Sequence, residues 1–329
     1  MNTFGRIFRV HIYGESHGLE LGVLIDGCPA GLEINESDFQ EDIMRRKAGV
    51  RGTTPRLEDD IPVIKSGLFN GKTTGSPILI GFENKNTKSE DYYELLVTPR
   101  PGHADFTAKM KFGGFNDYRG GGHFSGRLTL GLIAAGVIAK KIINPVMVNA
   151  TLIEAGGSKD IENAIENALK NNDSIGGIVE CRVDNVSVGL GEPFFDSFES
   201  LISHIVFAIP AIKGIEFGSG FRSAKMTGSQ HNDAFVDVNG KTNTNFSGGI
   251  SGGITNGNEI YFRVAVKPTS SIAAPQQTMN FESGKIEKLE IKGRHDTCIA
   301  LRVPVVLEAA TAIVLADLMM LEQKIPRIK

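Results

Sequence analysis

The chain has 329 residues, 41% of them hydrophobic and 22% charged, with a formal net charge of −3. That suffices for one large core or two fused halves, and it excludes a disordered polyelectrolyte and a dedicated nucleic-acid binder. Cys28, Cys181 and Cys298 are odd in number and widely spaced, so they suit neither a disulfide framework nor a zinc site and point to a reducing, cytoplasmic setting.

In chain order, the segment Met1 to Gly14 carries Arg6 and Arg9 and lacks the apolar run of a signal peptide. Phe8 to Tyr13 and Gly22 to Asp26 read as strands around the polar loop Gly14-Glu15-Ser16-His17-Gly18. Ser37 is expected to open a helix, with Gln40 at the capping-box position and Gly49 beyond its end. Arg45, Arg46 and Lys47 lie on that helix, and Arg51 and Arg56 follow it. Pro77 to Phe82 reads as a strand and Glu83 to Glu94 as a polar surface loop. Arg100 to Gly122 has little periodicity but holds Arg100-Pro101-Gly102-His103-Ala104-Asp105, Asp117-Tyr118-Arg119 and three consecutive glycines. A long apolar helix starts near Ser125. An amphipathic helix over Asp160 to Asn171, a strand over Gly177 to Val183 and a helix over Ser197 to Ile209 follow. Tyr261 to Val266 is a strand leading into Lys267-Pro268-Thr269-Ser270-Ser271. Arg294-His295-Asp296 precedes a last helix that starts near Pro304 and stops before Pro326.

Two apolar stretches test a membrane reading. Leu128 to Ile143 is too short and ends in Lys140 and Lys141, and Val303 to Leu321 is interrupted by Glu308 and Asp317, whereas a spanning helix needs ~20 mostly apolar residues. Both read as helices buried on more than one side, held between other layers. Strands and helices mix without a steady βαβ rhythm, so the expected fold is an α+β layered domain over residues 1–329 with no linker.

Gly71-Lys72-Thr73 resembles the end of a phosphate-binding loop, but Ser66 stands where that motif opens with glycine. No Gly-x-Gly-x-x-Gly follows a strand to open a helix, so a Rossmann site is not indicated. His17, His103, His123 and His295 lie in glycine-rich or charged loops, where histidine suits proton transfer near neutrality. Nearby acids also allow a metal reading, although no helical His-x-x-x-His pair exists. Arginines decide between the two. Arg45, Arg46, Arg51, Arg56, Arg100, Arg119, Arg127 and Arg294 cluster in the same loops. Such a set repels a divalent cation and binds carboxylates and phosphates. The residues alone therefore describe an enzyme for a phosphorylated small acid, without naming the reaction.

Together these segments resemble the chorismate synthase family. The resemblance rests on Gly14 to Gly18 continuing to Asp26-Gly27-Cys28-Pro29, on Arg100 to Asp105, and on Asp117 to Gly122 with Ser125-Gly126-Arg127. Gly248 to Gly253, Lys267 to Ser271 and Gly293 to Asp296 extend it nearly to the C-terminus. It implies a β-α-β sandwich, with helices between two antiparallel sheets and two pseudo-symmetric halves, assembled as a homotetramer. The implied reaction is a 1,4-anti elimination of phosphate from 5-enolpyruvylshikimate 3-phosphate by a carbon–oxygen lyase, with reduced FMN required and NADPH as a reductant. Carried over residue by residue, His17 resembles the histidine that protonates the leaving phosphate and His103 the one that protonates the flavin, while Ser16 and Asp296 resemble residues that assist proton movement. His123, Phe124, Ser125, Pro210, Ala211, Gly252, Lys267, Pro268, Thr269, Ser270, Ser271 and Arg294 match flavin contacts. Arg46, Arg51 and Arg127 match positions for NADPH or the phosphorylated substrate. Many members have Arg-Ser-Ser where this chain has His123-Phe124-Ser125, some have asparagine at Pro210, and Thr297 replaces the usual proline. A metal-dependent hydrolase and a flavin- or anion-binding module without chemistry are the competing readings, and neither explains the ordered series of blocks.

Overall fold

A computed structural model describes residues 2–54, 58–86, 89–291 and 295–328. The expectations placed on Arg56 and Arg294 lie outside the described residues.

Alternation of apolar and polar residues along each strand gives two sheets with one oily face apiece. In the strand Ile260–Val266 every second residue, from Ile260 through Phe262 and Val264 to Val266, is buried. The N-terminal sheet has five strands in the spatial order Thr3–Phe4, Arg9–Gly14, Glu20–Asp26, Ile78–Glu83 and Val63–Ile64. All of its pairings are antiparallel. The C-terminal sheet has four strands, in the order Ile212–Phe217, Ile260–Val266, Gly177–Asp184 and Met147–Ala155, and is also antiparallel throughout.

Between the sheets lie the helices Thr129–Ile143 and Val303–Leu321. The first packs on the N-terminal sheet, the second on the C-terminal sheet, and the two pack extensively on each other. This is the α+β sandwich expected from the sequence. A Cβ added to Gly136 on the first helix would lie 2.3 Å from the Ala309 Cβ on the second. Glycine in a helix interior costs about 1 kcal/mol relative to alanine, and at Gly136 it is the condition for close approach of the two backbones.

The second helix, with the turn before it (Ile299–Leu321), is long and apolar enough to cross a membrane, yet most of it is buried inside the protein. Its two interrupting acids are both satisfied. Glu308 accepts hydrogen bonds from Arg45 (2.6 Å), Lys140 (2.9 Å) and the Ala150 N–H (3.0 Å). Asp317 accepts from the backbone N–H groups of Arg6, Ile7 and Phe8 at 2.7–3.0 Å, tying the N-terminal loop to the core. A buried carboxylate is tolerated only with such partners.

Local differences from the sequence reading have local causes. The arginine helix is capped by Asn35, not Ser37: the Asn35 side chain accepts from the Ser37 N–H, and Asp38 accepts in return from the Asn35 N–H. A 3₁₀ turn, Glu36–Phe39, then leads into the α-helix Gln40–Arg46, so the capping box sits earlier than expected. The segment read as a loop from Glu83 contains a 3₁₀ helix, Ser89–Leu96. The near-miss phosphate loop is a hairpin, with Leu68–Phe69 paired to Lys72–Thr73 and Asn70 and Gly71 at φ 51° and 72°, as a tight turn requires.

Gly136→Ala is expected to lower stability by about 1–3 kcal/mol through overpacking, read as a lower urea midpoint. An unchanged midpoint would show that the helix seam has slack.

Candidate active site

The two buried helices run side by side with their N-terminal ends at one place. Leu128, Thr129 and Leu132 from the first, and Ile299, Arg302, Val303 and Val306 from the start of the second, line a single cavity of about 940 Å³. This lies at the upper end of the ~300–1,000 Å³ usual for small-molecule sites. Paired helix N-termini favour anions through unpaired N–H groups and the positive ends of the helix dipoles.

The arginine helix ends against this cavity. Arg46 is 3% exposed and donates from Nε to Thr129 Oγ1 (2.9 Å) and from Nη2 to the Gly126 carbonyl (3.1 Å). Arg127 donates to Asn84 Oδ1 (2.6 Å) and Asp60 Oδ1 (2.7 Å), and Asp60 Oδ2 lies 3.5 Å from Arg46 Nη1. Asp60 sits at φ 51°, a left-handed conformation that aspartate tolerates better than most residues, and this places its carboxylate between the two guanidiniums. Arg302, which the sequence reading did not single out, contacts Asp296 at 3.2 Å and donates from Nε to the Arg46 carbonyl (2.9 Å). Burial, then the charges of Arg302 and Arg127, push the Arg46 pKa down to about 9 despite Asp60 and Asp296, and it stays cationic at neutral pH. Three arginines against two aspartates leave a positive wall.

A second group surrounds His103, which also lines the cavity. Asp105 accepts from Arg100 through both oxygens (2.7 Å each), and its Oδ1 lies 2.6 Å from His103 Nδ1. The same Nδ1 lies 3.0 Å from Arg100 Nη2, which can only donate, so Asp105 and Arg100 together hold the ring at that nitrogen. Burial alone would raise the Asp105 pKa, but hydrogen bonds from Arg100 and His103 outweigh it and hold the carboxyl well below the usual range. Arg100 also donates to Ser271 Oγ (2.9 Å).

The triple glycine forms the turn under the cavity. Gly120 has φ 58°, and a Cβ there would lie 2.2 Å from His17 Cε1 and 2.9 Å from Ser16 Oγ. His17 and Ser16 are thus buried against the turn and do not line the cavity; the His17 ring meets Tyr92, which does, edge-on at 5.2 Å. The ring of His123 lies with Nδ1 2.7 Å from the Gly14 carbonyl, and His123, Phe124 and Ser125 all line the cavity.

Pro210, Ala211, Lys267, Pro268, Thr269 and Ser270 also line the cavity. Lys267 Nζ donates to the Gly102 carbonyl (2.6 Å) and Ser270 Oγ (2.9 Å), and burial, with Lys213 nearby, lowers its pKa. Thr269 Oγ1 and His295 Nε2 are buried without a hydrogen-bond partner, and both residues line the cavity. Asp296, also in the lining, accepts from the Thr54 N–H (2.9 Å).

The structure therefore gathers Arg46, Arg127, His103, His123, Phe124, Ser125, Pro210, Ala211, Lys267, Pro268, Thr269, Ser270 and Asp296 around one cavity. It does not bring Arg51, which is at the surface paired with Glu166, nor Gly252, which turns a short hairpin between Ile250–Ser251 and Ile254–Thr255 outside the lining, nor Ser271, which is buried outside the lining and accepts from Arg100. Arg45 and Arg119 pair with Glu308 and Asp117 instead. Arg302 was missed because it reads as one charge at the head of an apolar helix. Among the described residues no group of three or more His, Cys, Asp or Glu side chains could hold a metal ion.

The fold is a two-sheet sandwich whose cavity gathers cationic side chains at two helix N-termini. The profile of the chorismate synthase family matches residues 8–320. The chorismate synthase of Chitinophaga pinensis is 63% identical over 329 residues, covering 100% of this chain and 99% of its own. That of Dehalococcoides mccartyi is 45% identical over 359 residues, covering 99% of each. A crystal structure of a chorismate synthase superposes with a TM-score of 0.75 at 26% identity, over 97% of this chain and 93% of that one. The chain belongs to the chorismate synthase family, lyases that form chorismate in the shikimate pathway.

Because the folded-state pKa of Asp105 is depressed, its stabilising contribution is full above the unfolded value near ~3.9 and is lost as pH falls toward the folded value. The melting-temperature gap between wild type and Asp105→Asn should therefore be constant from pH 7 to about pH 5 and shrink below about pH 4. A gap independent of pH down to pH 3 would show that the carboxylate charge is not held as the geometry implies.

Proposed function

We propose that the cavity binds 5-enolpyruvylshikimate 3-phosphate together with reduced FMN, and that the chain catalyses 1,4-anti elimination of phosphate to give chorismate. The observation that carries this is one cavity that gathers Arg46, Arg127 and Arg302 at two helix N-termini together with the neutral hydrogen-bonding groups of Thr269, Ser270 and His295. The arginines suit a phosphorylated dicarboxylate, the neutral groups an uncharged ring system. Two buried, unpartnered polar atoms in the lining, Thr269 Oγ1 and His295 Nε2, fit a group with polar ring atoms. Lys267, Pro268, Thr269 and Ser270, with Ser271 steadied by Arg100, would hold FMN from one side, and His123, Phe124 and Ser125 from the other. When bound, reduced FMN supplies electron density that eases phosphate departure with no net redox change.

The chain's own residues do the rest. Arg46 and Arg127, locked by Asp60, hold the substrate's phosphate and carboxylates by charge-assisted hydrogen bonds and stabilise the phosphate as it leaves. His103, held at Nδ1 by Asp105 and Arg100, holds or gives a proton at Nε2 on the flavin side. Asp296, tied to Arg302 and the Thr54 N–H, assists proton movement. Ser16 and His17 lie directly under the Gly120 turn, and in this reading a proton passes from His17 to the leaving phosphate past that turn.

The two halves share one continuous hydrophobic core, which supports a single functional domain over residues 1–329. Phe194, Phe195, Phe221 and Val238 are 83–102% exposed. Such bare apolar side chains support an assembly of subunits, here a homotetramer. NADPH as the source of reducing equivalents, and a cytoplasmic location without membrane or nucleic-acid partners, complete the proposal.

Anaerobic phosphate release from 5-enolpyruvylshikimate 3-phosphate should occur with reduced FMN and not without it. His103→Ala and His17→Ala should each lower kcat by ~10²–10⁴-fold with little change in melting temperature. Release without flavin would sink the proposal, and normal turnover in a variant would remove that residue's role.

A further inference from the structure

Among the described residues, three buried side-chain polar atoms lack a partner: Arg263 Nε, Thr269 Oγ1 and His295 Nε2. Arg263 is on the strand Ile260–Val266 and does not line the cavity, whereas the other two residues do. A buried polar group left unpaired costs about 1–3 kcal/mol, and in a native protein such a group calls for a reason. Two on one cavity wall point to a ligand that completes them.

The backbone brings the two together. Ser174 Oγ donates to the Thr269 carbonyl (2.7 Å), and the next residue, Ile175, donates its N–H to the Thr297 carbonyl (2.8 Å). One short segment thus stitches the loop bearing Thr269 to the loop bearing His295. Arg100 closes the group from a third loop through its bond to Ser271 Oγ (2.9 Å).

We infer that His295 is a ligand-binding residue that, with Thr269, gives the uncharged polar edge of bound FMN a hydrogen-bonding partner through Nε2. This rests on the proposal that the cavity takes FMN. The charged groups around His295 fit the role. Burial and then Arg100 push its pKa down to about 4, against the opposing charge of Asp296, so the ring is neutral at physiological pH. Asp296 is itself held by Arg302 (3.2 Å), Lys267 is turned to the Gly102 carbonyl, and His103 is bound to Asp105. A neutral imidazole offers one hydrogen bond with no charge, which matches a ring carbonyl, imine nitrogen or ring N–H. The phosphate and carboxylates of the substrate have the arginine wall.

The test is FMN affinity, read by quenching of flavin fluorescence, in wild type, His295→Phe and His295→Gln, with melting temperatures and the affinity for 5-enolpyruvylshikimate 3-phosphate measured alongside. His295→Phe keeps a planar ring but loses the bond, and FMN affinity should fall about tenfold, the worth of one hydrogen bond. His295→Gln should restore it to within about threefold, and substrate affinity should stay unchanged in both. Wild type and His295→Gln should share the same pH dependence of FMN affinity from pH 5 to 8. Wild-type FMN affinity in His295→Phe, a loss confined to substrate affinity, or a folded His295→Gln as weak as His295→Phe overturns the inference. If His295→Phe does not fold, His295→Ala with added imidazole takes its place, and recovery of affinity by imidazole is the supporting result. Failure of wild type itself to bind FMN would instead remove the proposed cofactor.

Discussion

Close contact between Gly136 and Ala309 holds two apolar helices side by side, and most of the molecule depends on that seam. Each helix buries one face on its own sheet and another on its partner, so neither can move without opening the core. Because the helices run in the same sense, their N-terminal ends reach the same cavity. The scaffold thereby concentrates positive potential before any arginine is counted.

The arginines then have to be kept apart and aimed, since buried guanidiniums repel one another. Asp60 separates Arg46 from Arg127, and Asp296 faces Arg302. The aspartates neutralise only part of the charge, and the remainder leaves the cavity lining net positive. Asp105 and Arg100 likewise hold the His103 ring in place through its Nδ1. Sites built this way are preorganised: their polar groups are held by the fold and need little rearrangement on binding. The exceptions are Thr269 and His295, whose Oγ1 and Nε2 are buried without a hydrogen-bond partner.

Both acids that break the apolar run of the last helix show how such a helix stays inside a protein. Glu308 meets Arg45 and Lys140, and Asp317 meets three backbone N–H groups of the N-terminal loop. Each converts a desolvation penalty into a tie between distant parts of the chain.

Period-2 alternation at Ile260–Val266 and continuous apolarity at Leu128–Ile143 and Val303–Leu321 were enough to read strands and sandwiched helices from the sequence, because burial pattern follows secondary-structure period. Arg46, Arg127 and His103 were legible as site residues from their loop setting and family resemblance. Residue type and spacing alone could not separate Arg46, at the cavity, from Arg45, paired with Glu308, since adjacent helix positions differ by about 100° in direction and packing decides which face is inside; the family resemblance alone singled out Arg46. Nor could the sequence find Arg302, or place His17 beneath the Gly120 turn and Arg51 at the surface beside Glu166. Those facts depend on contacts between residues tens to hundreds of positions apart. Local propensity carries no information about such contacts, and only the closing of the two sheets on the paired helices creates them.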